Sequence, residues 1–203
     1  MSNLKHRILG ISHEPAIMVI NKIFGSKIMG LVGFGWGLSG VLIMLGFAIF
    51  RLAPMAFELV SFPLNSLQWA LLILSVGYLA YAEGYKGFHK NFSPRVVARA
   101  NYLLQHPRLG TTILAPLFCM GFIYATRKRM ATSIALTTMI IFFVLIVGIM
   151  PQPWRGIVDA GVVVGLFLGV ISIFYYLVQF LVKPELLTFS PEIPSDPKAN
   201  STA

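Results

Sequence analysis

Two acid–base pairs stand at helical spacing. Glu83 precedes Lys86 by three residues, and Arg155 precedes Asp159 by four. On a helix both spacings bring the partners onto one face, where they can pair. Each pair lies at the rim of a long uncharged run. A charge at membrane depth is costly, so it faces protein or water rather than lipid. Glu83, Lys86, Arg155 and Asp159 are therefore the candidate rim or intramembrane polar site. They read either as mutually neutralised charges or as a proton or cation site at one end of an aqueous path. Asp159 also gains from the positive end of the helix it helps to open.

A third group is basic. Lys86, His89, Lys90, Arg95, Arg99 and Arg108 crowd one short stretch. Within it Arg95 and Arg99 stand one helical turn apart, and guanidinium binds phosphate in bidentate fashion. Lys90, Arg95 and Arg99 are thus the candidate contact for an anion or an anionic lipid headgroup. Ser93-Pro94 reads as an N-cap followed by proline at the first helical position. Val96, Ala100, Leu103 and Leu104 then form an apolar stripe, with Arg95, Arg99 and Tyr102 on another face. This predicts a basic amphipathic helix over 93–106, lying on headgroups and closed by His106-Pro107.

Other chemistries find no footing. There is no HExxH, no histidine pair at i,i+4 and no histidine inside an apolar run, so no metal or haem site is predicted. Phosphate-loop and dinucleotide fingerprints are absent, and no nucleophile motif surrounds any serine. Cys119 is the one cysteine and sits among apolar residues, which points to an inert thiol and excludes a disulfide framework. No catalytic residue and no cofactor are predicted.

The elements that would position these groups follow from composition. Hydrophobic residues make up 57% of the 203 and charged residues 11%, where a soluble domain carries about 25%. Mean hydropathy is +0.78. Uncharged runs cover 28–50, 59–82, 131–150 and 160–182, and about 20 apolar residues cross the roughly 30 Å hydrocarbon core as a helix. The fold class expected is an all-α integral membrane protein. It is a bundle of five membrane-embedded helices, over about 28–50, 67–85, 110–126, 131–150 and 157–182, with the basic interfacial helix between the second and third.

The third of these is short, holds Pro116 and stops at Arg127-Lys128-Arg129. Either it crosses fully, which strands those three cations outside, or it enters and returns on one side. The second arrangement places every basic residue except Arg51 and Arg155 inside, as the positive-inside rule prefers. Lipid-exposed irregular backbone argues against it.

Residues 1–27 form an N-terminal cytoplasmic or interfacial segment, with a short helix near 16–24 lying along the membrane surface. Residues 28–183 are the membrane domain, and 184–203, rich in proline, form a disordered tail. Two glycine ridges mark packing faces: Gly30, Gly33, Gly37 and Gly40, and then Gly161, Gly165 and Gly169. Small residues at this spacing let helices approach closely in lipid, and they predict a homo-oligomer or a membrane-protein partner.

The net charge of +9 reads as topology and anionic-lipid contact rather than nucleic-acid binding. The location expected is the cytoplasmic (inner) cell membrane, crossed several times, with the N-terminus inside. The leading functional reading is a small transporter or channel subunit for an ion or small solute. The alternative is a non-catalytic subunit or assembly factor of a larger membrane complex. A third is a lipid-acting membrane enzyme that grips headgroups through Arg95 and Arg99.

Overall fold

A computed structural model describes residues 14–183, with side chains from residue 24 onward. Of the expected terminal segments, residues 1–13 of 1–27 and all of 184–203 lie outside the described residues. Every element within them is helical: α1 (Glu14–Phe57), a 3-10 turn (Glu58–Ser61), α2 (Ser66–Leu79), a π-helical segment (Ala80–Phe92), α3 (Ser93–Gln105), α4 (Leu109–Ile113), α5 (Ala115–Met120), α6 (Arg127–Gly148) and α7 (Trp154–Val182). Three stretches are helical, long and apolar enough to cross a membrane: Phe24–Ser61, Arg127–Gly148 and Trp154–Val182.

At 44 residues, α1 is about 66 Å long, roughly twice the hydrocarbon core. Residues 14–24 are the first turns of this rod and not a separate surface helix. The 3-10 turn ends it, and Asn65 then starts α2 with a reciprocal cap. Its Oδ1 accepts from the Gln68 N–H at 2.8 Å, and its own N–H donates to Gln68 Oε1 at 2.9 Å, which satisfies two donors that a helix start would otherwise leave unpaired.

From Ser66 to Gln105 the backbone is helical without interruption. Ser93 is therefore not an N-cap: it has helical dihedrals (φ −59°, ψ −46°), as does Phe92 before it. Proline inside a helix lacks the N–H and crowds the carbonyl of the preceding turn. The wider π winding just upstream is one of the few ways a helix admits it. Nor does α3 lie on a surface. Ser93, Pro94, Val96, Val97, Ala98, Arg99, Ala100 and Leu103 are all buried, in a core completed by Leu38 and Val41 of α1, Ala115, Phe118 and Cys119 of α5 and Ile173 of α7. The expected interfacial helix is not confirmed, because its apolar stripe faces protein and its Arg99 goes inside with it.

Five spans are not confirmed either. Residues 109–120 form two short helices meeting at Leu114, and Gly121 ends the second in left-handed conformation (φ 86°). Together they rise about 17 Å, too little to cross about 30 Å of hydrocarbon. They run up beside α1 in its own direction, with Thr112 against Gly33, Ala115 and Cys119 against Gly37, and Pro116 against Gly40. Ser133 Oγ donates to the Met120 carbonyl at 3.1 Å, tying the base of α6 to the end of α5. At the far end Gln152 Nε2 donates to the Met55 carbonyl at 3.3 Å. The segment therefore does not cross by itself: in the break at 121–126 Tyr124 meets Arg108, which precedes α4, and α6 starts anew after it.

Both glycine ridges are covered within the chain. A Cβ on Gly30 would lie 2.6 Å from the Leu104 carbonyl oxygen, and one on Gly169 would lie 2.6 Å from the Phe88 ring. The first ridge seats α3, α4 and α5 on α1, and the second seats α2 and the π segment on α7. They therefore give no support to an oligomer or a partner. Helix α6 is the exception to this close packing, since only 11% of its apolar window is buried in the chain.

Candidate functional site

Glu83 lies within the π segment and packs against Gly165 of α7. A Cβ at Gly165 would meet Glu83 Oε2 at 3.1 Å and Glu83 Cβ at 3.2 Å. Gly165 is about 17 Å along α7 from Trp154, within a helix of 29 residues. The side chain is half-buried. One step toward the start of α7, Gly161 faces Ser75, whose Oγ would lie 2.7 Å from an added Cβ. One step the other way, Phe88 closes over Gly169 and Leu168 over Gly84. The ridge thus leaves room for a hydroxyl and a carboxylate on α2 and the π segment, and aromatic and aliphatic groups shut it on the side of residue 88.

Glu83 and Lys86 do not pair. Lys86 Nζ lies instead over the Tyr81 ring, 5.9 Å from its centroid, and Lys90 Nζ over Tyr85 at 4.8 Å. Both contacts are i,i+5. In an α-helix a residue three ahead shares a face, but i→i+5 bonding winds fewer turns per residue and brings the fifth residue over the first. The same winding lines up Tyr81, Tyr85 and His89 in a stack, with ring centroids 6.0 and 5.8 Å apart. His89 also meets Tyr175 at 5.6 Å and Tyr176 at 5.3 Å on α7.

The second pair does form. Arg155 Nε lies 3.5 Å from Asp159 Oδ2, with Asp159 4% and Arg155 33% exposed. Two residues that the sequence reading passed over complete this corner. Gln152 Nε2 donates to Glu58 Oε2 at 2.8 Å, and Gln152 Oε1 accepts from the Gly156 N–H at 3.1 Å. The corner staples the start of α7 to the end of α1. Only the setting of Gln152 between two prolines, in a turn too tight to leave it free, hinted at this role.

The basic residues scatter. Arg99 is 1% exposed and its guanidinium holds backbone carbonyls: Nε to Phe118 at 2.5 Å, and Nη2 to Ile123 at 2.8 Å and Tyr124 at 3.1 Å. Arg95 is half-buried and Lys90 exposed. Arg99 and Lys90 thus stand in different settings, one enclosed among backbone carbonyls and the other at the surface. Among the described residues no group of histidine, cysteine, aspartate and glutamate could hold a metal ion. No protein-family model matches the chain, and neither curated proteins nor solved structures match it.

Proposed function

We propose that this chain is a multi-pass protein of the cytoplasmic membrane that binds and passes a proton or small cation at Glu83. The observation that carries the reading is a carboxylate seated on Gly165 in the packing face of the apolar helix α7. Ionisable groups within membrane helices are expensive and mark ion or proton pathways. The π winding of the segment that bears it fits, since such winding is frequent at functional sites. Uptake of a proton or a cation neutralises the carboxylate, and a small side chain opposite it leaves space for the exchange.

The reading takes four passes: α1, then α2 with the π segment, then α6, then α7. The N-terminus is cytoplasmic, and every basic residue except Arg51 and Arg155 falls on that side, in keeping with the positive-inside rule. Four passes are few for a lone transporter, so the working unit contains a second copy or a partner. The lipid-enzyme reading loses its grip, because Arg99 is engaged with carbonyls inside the chain.

Reconstitution in proteoliposomes tests the proposal. A pH or cation gradient should drive flux that Glu83→Gln abolishes, with Asp159→Asn leaving most of it. Absence of flux across protons and alkali cations from folded protein, or flux unchanged in Glu83→Gln, overturns it. One observation favours a second reading, a non-catalytic subunit of a larger complex. Helix α6 is exposed along Ile134, Leu136, Met139 and most positions to Ile149. Purification in mild detergent followed by mass spectrometry would reveal the partner that this reading requires, and a protein that always runs alone would exclude it.

A further inference from the structure

The space between Glu83 and α7 is small. A Cβ on Gly165 would have Glu83 Oε2, Glu83 Cβ and the Leu79 carbonyl oxygen as its nearest neighbours, at 3.1, 3.2 and 3.4 Å. Ordinary van der Waals contact begins at the longest of these distances, so the gap holds less than a methyl group. A hydrated cation does not enter it. A bare alkali cation sheds its hydration shell only where oxygens replace the lost waters, and two of these three atoms are oxygens.

The surroundings add little for a cation. Gly84, next to Glu83, has Leu168 packed over it, and Phe88 covers Gly169. Ser75 Oγ faces Gly161 instead, where Leu79 Cδ1 lies closer still, at 2.6 Å against 2.7 Å from an added Cβ. Neighbouring ionisable groups have other partners: Lys86 and Lys90 lie over tyrosine rings, His89 meets Tyr175 and Tyr176, Asp159 pairs with Arg155, and Arg99 of α3 holds carbonyls. A proton asks for less. A protonated carboxyl is a donor, and enclosed among packed helices it needs an acceptor. The Leu79 carbonyl, with two lone pairs, faces the same gap.

We infer that the ion held at Glu83 is a proton and not an alkali cation, carried as a carboxyl O–H that donates to the Leu79 carbonyl across the gap at Gly165. Uptake forms the Oε2–H bond with a proton from hydronium and leaves water, and release returns the proton to water. Glu83 Oε2 and the Leu79 oxygen both lie within 3.4 Å of the point where Gly165 lacks its Cβ, so a turn of the side chain can bring the O–H to the carbonyl. The inference rests on the reading of Glu83 as the transport site and names its substrate.

The test uses the full chain in proteoliposomes, treated at one fixed, slightly acidic pH with dicyclohexylcarbodiimide, an apolar reagent that adds to protonated carboxyl groups. Labelling at Glu83 is read by peptide mass spectrometry in sodium, potassium or choline chloride of equal ionic strength, with Glu83→Gln as the unlabelled control. Glu83 should be labelled to the same extent in all three salts. Several-fold protection by sodium or potassium, no label at Glu83 in any salt, or a Glu83-dependent flux that requires sodium or potassium overturns the inference. Labelling needs no flux, so the two readings fail separately. Protection by sodium together with flux abolished in Glu83→Gln overturns the proton and keeps the transport site. Equal labelling in the three salts without flux in any gradient keeps the proton and overturns transport.

Discussion

The Arg99 guanidinium lies 4.3 Å from the centroid of the Phe118 ring while its Nε donates to the Phe118 carbonyl at 2.5 Å. One side chain of α3 thus holds both the ring and the backbone of the last turn of α5. Its Nη2 reaches the Ile123 and Tyr124 carbonyls in the break that follows. A helix end leaves carbonyls without intrahelical partners, and here a buried cation supplies the donors. Replacing Arg99 by methionine, which fills similar space, removes these donors; the Phe118 carbonyl keeps the Gly121 N–H at 3.0 Å, while the loss at Ile123 and Tyr124 costs about 1–3 kcal/mol for each carbonyl that water cannot reach. Thermal unfolding in detergent should show a large loss for Arg99→Met and a smaller one for Arg99→Lys. Added guanidinium ion should raise the melting temperature of Arg99→Ala more than that of wild type, because alanine leaves the space the ion needs.

The glycines divide sharply by what faces them. A Cβ at Gly169 would lie 2.6 Å from the Phe88 ring, while one at Gly46 in α1 would meet nothing within 4 Å. Overpacking costs about 1–3 kcal/mol, whereas glycine to alanine in an open helix interior gains about 1 kcal/mol at most. Gly169→Ala should therefore lower the unfolding temperature and Gly46→Ala should leave it level or raise it. Equal effects at the two positions would mean that the π segment does not pack on α7 as described.

Much of this architecture is legible in the residues. The apolar runs of α1, α6 and α7 are too long and too free of charge for anything but buried or membrane helices, and the glycine ridges do mark packing faces. What they pack against is not legible, because Gly30 meets Leu104 and Gly161 meets Ser75 across distances in sequence that periodicity does not report. The π segment is invisible for a different reason. Ser93-Pro94 carries the same local signature whether it starts a helix or forces a wider turn upstream, and only the packing of α3 into the core decides between them. Once the winding changes, the i,i+3 rule that pairs Glu83 with Lys86 no longer applies. Arg99 reads as a surface residue because its partners, carbonyls of 118, 123 and 124, have no side-chain identity to recognise.

Accessibility labelling checks the four-pass arrangement. Cys119 is buried at 1% exposure, so single cysteines placed elsewhere report with little background. Lys128→Cys and Lys90→Cys should react with a membrane-impermeant thiol reagent only when the cytoplasmic face is open. Arg51→Cys should react from the opposite side. Labelling of Lys128→Cys from outside intact cells would restore a full crossing by residues 110–126 and move the break to the other face.

The Arg155–Asp159 pair predicts an asymmetry between its two halves. Asp159 is almost wholly enclosed and Arg155 only partly, with 3.5 Å between Nε and Oδ2 and no hydrogen bond formed by either of these atoms. Removing the arginine leaves a buried carboxylate without its counter-charge, whereas removing the charge on the aspartate leaves an arginine that can still reach water. Breaking a fully buried pair costs about 3–5 kcal/mol. A third of Arg155 is solvent-exposed, so screening reduces that figure to about 1–2 kcal/mol. Arg155→Gln should therefore destabilise more than Asp159→Asn, and Arg155→Gln/Asp159→Asn should recover most of the loss seen in Arg155→Gln alone. A double-mutant cycle of unfolding free energies measures that coupling directly. If the two single changes cost the same and simply add, the ion pair does not hold the start of α7, and the Gln152 contacts to Met55 and Glu58 do so alone.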